Sequence, residues 1–286
     1  MVWREVIDKA AEYLDSRNVP DACTAGELLA ARLLSSNRGE LFNFLDKEPT
    51  SRQLEAMRRG MARLVKNEPI QYILGEWDFR RLTLKCDSRA LIPRPETEGL
   101  VSLVLDHLRR SYAGQKPFVV DVGTGTGAII LSIASEYKGE GVFLGTDISE
   151  DAVSLARENA ALCGLEERAS FVVMDGLDDF DEPQSVDIIV SNPPYIESDV
   201  CETLDPRVKD FEPRLALDGG TNGLDFYDRY LADALNLLKS GGSVFFEMGD
   251  TQGEALEHLM QGYGFSDIKI LKDLSGRDRY AVAMLP

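Results

Sequence analysis

Histidine is almost missing from this chain: its 286 residues contain two, His107 and His258. The four cysteines, Cys23, Cys86, Cys163 and Cys201, are scattered and form no Cys-x-x-Cys pair. A metal site is therefore not expected, and no disulfide framework is indicated. The cysteines read as small apolar side chains in a reduced compartment. No apolar run approaches the roughly 20 residues needed to span a bilayer. The opening residues, Met1-Val2-Trp3-Arg4-Glu5, lack the apolar stretch of a signal peptide. A cytoplasmic protein without membrane attachment is the expectation. Basic charge is also short, with 31 Lys and Arg against 49 Asp and Glu and a net charge of -18. Residues 1–85 hold 14 basic and 13 acidic side chains, whereas residues 86–286 hold 17 and 36. Nucleic-acid binding draws its affinity from phosphate neutralisation, so this balance disfavours a nucleic-acid partner and suits a neutral or basic protein. Acidity can equally serve solubility, so charge weighs on the substrate without deciding it.

What is present is length for two domains and an ordinary globular composition, 44% hydrophobic and 28% charged. The first part carries helical spacing, as in Val2, Val6 and Ala10, and again in Leu54, Met57, Met61 and Leu64. Asp21 or Thr24 can cap a second helix, a short third helix is predicted over 38–45, and Thr50 or Ser51 can cap a fourth. Residues 1–68 thus read as a small helical bundle. From Pro69, alternation through Ile70, Tyr72 and Leu74, then Trp77-Asp78-Phe79 and Leu82-Thr83-Leu84, predicts a β-hairpin connector over 69–95. Across 96–286, apolar runs at 118–121, 141–147, 170–175, 186–191, 243–247, 267–271 and 280–283 alternate with helical stretches. Such alternation argues for an α/β fold with a doubly wound, mostly parallel, Rossmann-like sheet.

Asp121-Val122-Gly123-Thr124-Gly125-Thr126-Gly127 ends the first of these strands and opens a helix. Glycines permit a tight turn and a close approach of backbone to ligand where doubly wound folds bind nucleotides. Dinucleotide enzymes space them Gly-x-Gly-x-x-Gly; here the third comes one residue sooner. Asp121 would repel a pyrophosphate and attract the ammonium of a methionine moiety. Asp147, twenty residues beyond Gly127, can accept hydrogen bonds from both ribose hydroxyls. Asp175-Gly176 closes the next strand, placed for the exocyclic amine of an adenine. One such aspartate is most simply a helix cap. Three in consecutive units behind a glycine loop point to S-adenosyl-L-methionine and a class I methyltransferase fold.

Asn192-Pro193-Pro194-Tyr195 follows the fourth strand and lies at the same sheet edge. An amino or amide nitrogen conjugated to a π-system has a delocalised lone pair and is a poor nucleophile. The Asn192 side-chain carbonyl and the Pro193 main-chain carbonyl can accept its two N–H bonds and direct its electron density toward a methyl donor. Proline fixes the turn and brings no competing N–H. Tyr195 offers a flat face to a planar group. Orientation and preorganised dipoles carry such catalysis, and no strong base is needed. Read alone, the four residues are equally a turn; their place after the fourth strand favours the catalytic reading.

Beyond these motifs, three segments carry a resemblance: Pro69-Ile70-Gln71-Tyr72-Ile73-Leu74-Gly75, Leu91-Ile92-Pro93-Arg94-Pro95-Glu96-Thr97-Glu98, and the run from Glu212-Pro213-Arg214 to Asn222-Gly223-Leu224. With them nearly the whole chain resembles the HemK-like glutamine methyltransferases of peptide chain release factors. Asn222 and Glu96 stand where that family often has Asp, and neither change is expected to matter. The resemblance implies methyl transfer to the side-chain amide of the glutamine in the Gly-Gly-Gln loop of class 1 release factors, with S-adenosyl-L-homocysteine as the other product. It implies that the helical N-terminal domain helps grip the release factor. It assigns Asp121, Gly123, Thr124, Gly125 and Gly127 to the methionine end of the cofactor, Asp147 to the ribose, Asp175 and Gly176 to adenine, and Asn192 to both ligands. Pro193, Pro194 and Tyr195 fall to the target amide, and Phe79, Arg94, Pro95 and Glu96 border the pocket between the domains. A monomer is expected.

Three rival readings stay open at this point. An N6-adenine or N4-cytosine nucleic-acid methyltransferase uses the same Asn-Pro-Pro-Tyr logic on a flipped base. A nicotinamide oxidoreductase is disfavoured by the glycine spacing and by Asp121. A non-catalytic scaffold that binds the cofactor would have no need of Asn192 to Tyr195.

Overall fold

The structure, a computed structural model, describes residues 1–178, 180 and 182–286. The backbone divides into two compact units, Met1–Glu76 with Asp205–Phe211, and Trp77–Leu204 with Glu212–Pro286.

The first unit contains α1 (Trp3–Asp15), α2 (Ala22–Leu33), a 3-10 turn (Arg38–Asn43), α3 (Ser51–Leu64) and α4 (Ile70–Leu74). Trp3, Val6, Ile7, Ala10 and Leu14 of α1 are buried, the stripe that 3.6-residue periodicity demands. Thr50, not Ser51, caps α3: its Oγ1 accepts the Gln53 N–H at 3.2 Å while Gln53 Oε1 accepts the Thr50 N–H at 2.9 Å. Asp21 holds the N-cap position of α2 with φ 50 and no side-chain cap, so neither proposed cap is made as expected. The predicted third helix is only a 3-10 turn. Gly39 weakens helix propensity there, and Asn37 Oδ1 takes the Glu40 N–H at 3.0 Å. Residues 70–74, expected to be extended, form α4 instead. Pro69 sets the entry and Gly75, at φ 76, the exit, and five residues are too few for alternation to separate strand from helix.

The second unit opens with a hairpin, β1 (Glu76–Phe79) and β2 (Leu82–Lys85), then α5 (Thr97–Ser111). There follow β3 (Phe118–Val122), α6 (Ala128–Glu136), β4 (Val142–Asp147), α7 (Glu150–Cys163), β5 (Ala169–Val173) and β6 (Val186–Ser191). Two short turns, α8 (Ser198–Cys201) and α9 (Pro206–Lys209, grouped with the first unit), precede α10 (Asp225–Leu237), β7 (Leu238–Glu247), α11 (Gly253–Gly262), β8 (Ser266–Lys272) and β9 (Asp278–Met284). The seven-stranded sheet runs β5-β4-β3-β6-β7-β9-β8, with β9 alone antiparallel to its neighbours. One apolar cluster covers each face: Leu100, Val104 and Ile130 belong to the first, Tyr227, Leu231 and Leu256 to the second.

Register fixes where the chemistry lies. Val122 pairs with Thr146 of β4 and with Ser191 of β6, and Ser191 pairs with Phe246 of β7. The next residues, Gly123, Asp147, Asn192 and Glu247, therefore emerge at one level of the carboxyl edge. The strand order reverses between β3 and β6, the position at which doubly wound sheets open a ligand crevice. Among the described residues no helix is long and apolar enough to cross a membrane.

Candidate active site

A cavity of about 350 Å³ opens at this edge, of a size typical for small-molecule sites. Gly123, Gly125, Asp147, Asp175, Asn192 and Pro194 are in its wall. The loop after β3 is held by its own backbone: the Thr124 N–H donates to Thr146 O and the Gly127 N–H to Thr124 O, both at 2.8 Å. Gly123 has φ 70, and a Cβ there would meet nothing within 4 Å, so bare backbone faces open space. At Gly127, with φ 81, a Cβ would press on Leu131 Cδ1 at 3.0 Å, which sets how tightly α6 packs against the turn.

Asp147 Oδ2 accepts the Gly125 N–H and Oδ1 the Ser149 N–H, each at 2.9 Å, which fixes the carboxylate at the cavity wall. Burial raises its pKa above the ordinary carboxylate value. Asp121 is placed differently from expectation. It is fully buried beneath the loop, where Thr124 Oγ1 donates to its Oδ2 at 2.6 Å, and Thr124 rather than Asp121 faces the cavity. Its Oδ1 has no partner, and burial pushes the carboxyl up to about 7. Asp175 sits at the rim, paired with Arg229 of α10 at 2.7 Å, and Arg229 also holds Asp178 at 2.6 Å. Ile148 and Phe226 add apolar wall near this end.

These groups fit S-adenosylmethionine. Bare glycine backbone, a fixed carboxylate at the second strand tip and apolar wall match its methionine, ribose and adenine parts. Thr124, Gly123 and Gly125 would hold the methionine end, Asp147 the ribose, and Asp175 with Ile148 the adenine. When bound, the cofactor supplies an electrophilic methyl on a sulfonium.

Across the crevice, Asn192 Nδ2 donates to Thr97 Oγ1 at 3.2 Å. The amide nitrogen is thus turned toward the protein, and Oδ1 is left for a ligand. The segment from Glu212 onward lies backbone to backbone against the catalytic turn. Ile196 N–H donates to Leu217 O at 3.1 Å and Gly219 N–H returns to Ile196 O at 2.8 Å. A Cβ on Gly219 would come within 2.7 Å of Pro194 O, so only glycine fits. Gln252 Nε2 ties Tyr195 O and Gly223 O together at 3.0 and 3.1 Å. Asn222 Oδ1 accepts the Leu224 N–H at 3.0 Å, a bond that an aspartate makes equally well.

Arg94 lines the cavity and is ion-paired with buried Glu212, whose Oε2 also accepts the Ile92 N–H at 3.0 Å. Pro95 and Glu96 are exposed beside it. Tyr195 packs against the apolar cluster of α10 and α11, and burial raises its hydroxyl to about 12. Phe79 is the clear departure. It is 1% exposed and belongs to the core with Leu84 and Leu100, because hairpin alternation turns position 79 inward, and it does not reach the cavity wall. Sequence reasoning missed Thr97, Arg229, Gln252 and Glu247. An acid ending the apolar run Phe245-Phe246-Glu247 was the one available signal, since buried carboxylates need a reason.

Residues 116–269 match the family described as a methyltransferase domain and residues 5–75 the PrmC N-terminal domain. A release factor glutamine methyltransferase of Thermodesulfovibrio yellowstonii is 37% identical, with 97% of each chain covered. The human MTRF1L release factor glutamine methyltransferase is 34% identical over 96% of this chain and 85% of its own. The solved human methyltransferase 10 domain containing protein shares the fold, with a TM-score of 0.53 at 20% identity, covering 71% of this chain and 89% of that one. The chain belongs to the release factor glutamine methyltransferase family and is an S-adenosylmethionine-dependent methyltransferase.

Proposed function

We propose that this chain transfers a methyl group to the side-chain amide nitrogen of the glutamine in the Gly-Gly-Gln loop of class 1 peptide chain release factors. The observation that carries the reading is the Asn192 amide, anchored through Nδ2 on Thr97 so that its carbonyl is left for an incoming N–H. With the Pro193 carbonyl as a second acceptor, both protons of a primary amide are engaged. The two bonds would fix the plane of the amide, so that the nitrogen lone pair, perpendicular to that plane, could be presented to the methyl that the cofactor supplies. Asn192, Pro193 and Pro194 bind and orient the target, Tyr195 braces the turn from behind, and Arg94 borders the entrance. Expulsion of water strengthens each dipole in the crevice. As the nitrogen becomes cationic its proton is acidic enough to leave to solvent. The helical unit within residues 1–68 is read as the part that grips the release factor, and the acidic remainder disfavours a nucleic-acid substrate.

Labelled S-adenosylmethionine offered with a release factor and with DNA and RNA side by side tests the substrate class. Label in the release factor supports the reading, and label confined to nucleic acid overturns it.

A further inference from the structure

Asn159 lies in the interior of α7, outside every motif, and is fully buried. A buried amide is costly unless its polar atoms are satisfied, and asparagine is a poor helix former, so its presence needs a reason. Oδ1 accepts the Lys85 N–H at 2.7 Å, while Nδ2 donates to Lys85 O at 3.1 Å and to Thr126 O at 2.9 Å. An asparagine amide carries two N–H donors and a carbonyl in one plane. It therefore pairs with both backbone groups of Lys85, as a neighbouring strand would, and keeps a donor for a second carbonyl. Lys85 ends β2 and leads into residues 89–94, which form one wall of the cavity. Thr126 belongs to the glycine loop on another wall. One side chain thus joins the two walls from behind. The rest of the helix face repeats the connection. Ser149, Ala152, Leu155, Ala156 and Asn159 recur at three- and four-residue spacing along α7. Ala90 clusters with Ala152 and Leu155, and a Cβ on Gly127 would press on Ala156 at 3.3 Å. Glu158 pairs with Lys85 and Arg89 nearer the surface.

We propose that Asn159 is a positioning residue for cofactor binding: by joining Lys85 to Thr126 it sets the spacing between the 89–94 wall and the glycine loop before S-adenosylmethionine arrives. The inference concerns the cofactor half of the site and holds whichever acceptor is methylated. Walls already in place spare the ligand the cost of ordering them, so the effect falls on affinity rather than on the chemical step. Asn159→Asp is the sharpest change. It keeps the size of the side chain and the acceptor for the Lys85 N–H, but sets a carboxylate oxygen against two carbonyl oxygens. Even protonated, the acid can serve only one of them.

The test is calorimetric binding of S-adenosylmethionine to Asn159→Asp beside Leu108→Ala, a core change at the far end of α5 that lowers stability without touching the cavity. Asn159→Asp should raise the Kd about tenfold, the net worth of roughly one hydrogen bond. Its kcat at saturating cofactor, and its KM for the release factor, should stay within about twofold of wild type. Leu108→Ala should lower Tm and leave the Kd unchanged. A lowered Tm with an unchanged Kd in Asn159→Asp, or an equal rise in Kd in Leu108→Ala, overturns the inference. Should Asn159→Asp not fold, hydrogen exchange of the cofactor-free wild type decides. The Lys85 amide should then exchange about a hundredfold or more slower than an exposed amide. An amide there that exchanges freely until S-adenosylmethionine is added overturns the inference. Neither the binding nor the exchange arm requires a release factor, so a failure of the substrate reading is seen separately, as absence of label in that protein.

Discussion

Arg94 and Glu212 stand 118 positions apart and meet in an ion pair that ties the Pro-Arg-Pro loop to the segment packed along the catalytic turn. The Glu212 side chain is 1% exposed and that of Arg94 32%. Removing either partner thus has unequal consequences. Arg94→Ala strands a buried carboxylate and should cost about 3 kcal/mol, the lower end of what breaking a buried pair costs. Glu212→Ala leaves Arg94 free to turn to water but orphans the Ile92 N–H, worth about 1–3 kcal/mol. Glu212→Gln keeps that acceptor and should be the mildest of the three. Urea denaturation of the three variants checks the order.

Gly219 answers for the geometry of the turn. A Cβ there meets Pro194 O at 2.7 Å and Tyr195 Cα at 2.8 Å, backbone atoms that cannot swing aside. Gly219→Ala should destabilise the protein by about 1–3 kcal/mol, the usual range for overpacking, and lower kcat by a larger factor than it raises the Kd for S-adenosylmethionine. Calorimetric melting together with steady-state kinetics reads both effects.

Asp121 makes the stability of the ligand-free protein depend on pH. Its folded pKa is raised to about 7 from an ordinary 3.8, so between those values the native state binds more protons than the unfolded chain. Stability from this group is fully present below the unfolded value and is lost as pH rises through about 7. Asp121→Asn should flatten that slope, raise Tm at pH above 7 and weaken binding of the cationic cofactor. Thermal melts across pH, with and without S-adenosylmethionine, check the sign.

Arg229 is held at the rim by Asp175 and Asp178, whose side chains are 52% and 54% exposed. Such exposed pairs contribute about 0–1 kcal/mol, so Arg229→Ala should leave the melting temperature nearly unchanged. Releasing Asp175 from its fixed position should still raise the Kd for S-adenosylmethionine several-fold, read by calorimetry. An unchanged Kd would remove Asp175 from the cofactor site.

The parts of the site legible in the sequence are those built from contiguous residues at strand ends. Gly123 to Thr126, Asp147, Asn192 and Pro194 follow apolar runs and line the cavity, because a parallel sheet puts such ends on one edge; Gly127, Pro193 and Tyr195, read with them, are not in its wall. What was not legible depends on tertiary pairing. Nothing local in Thr97, Arg229 or Gln252 tells which loop each will hold, and Phe79 looked like a pocket residue until hairpin alternation turned it into the core. The segment 70–74 failed for a different reason: Pro69 and Gly75 outweighed an alternation too short to be informative.

The most direct test is to locate the methyl group. A class 1 release factor incubated with the protein and S-adenosylmethionine, then digested and fragmented by mass spectrometry, should carry a single added methyl on the side-chain amide of its Gly-Gly-Gln glutamine. Asn192→Ala should still bind the cofactor but lose about two orders of magnitude in rate, as when one preorganised dipole is removed from an active site. A methyl group on any other residue, or undiminished transfer by Asn192→Ala, would contradict the account.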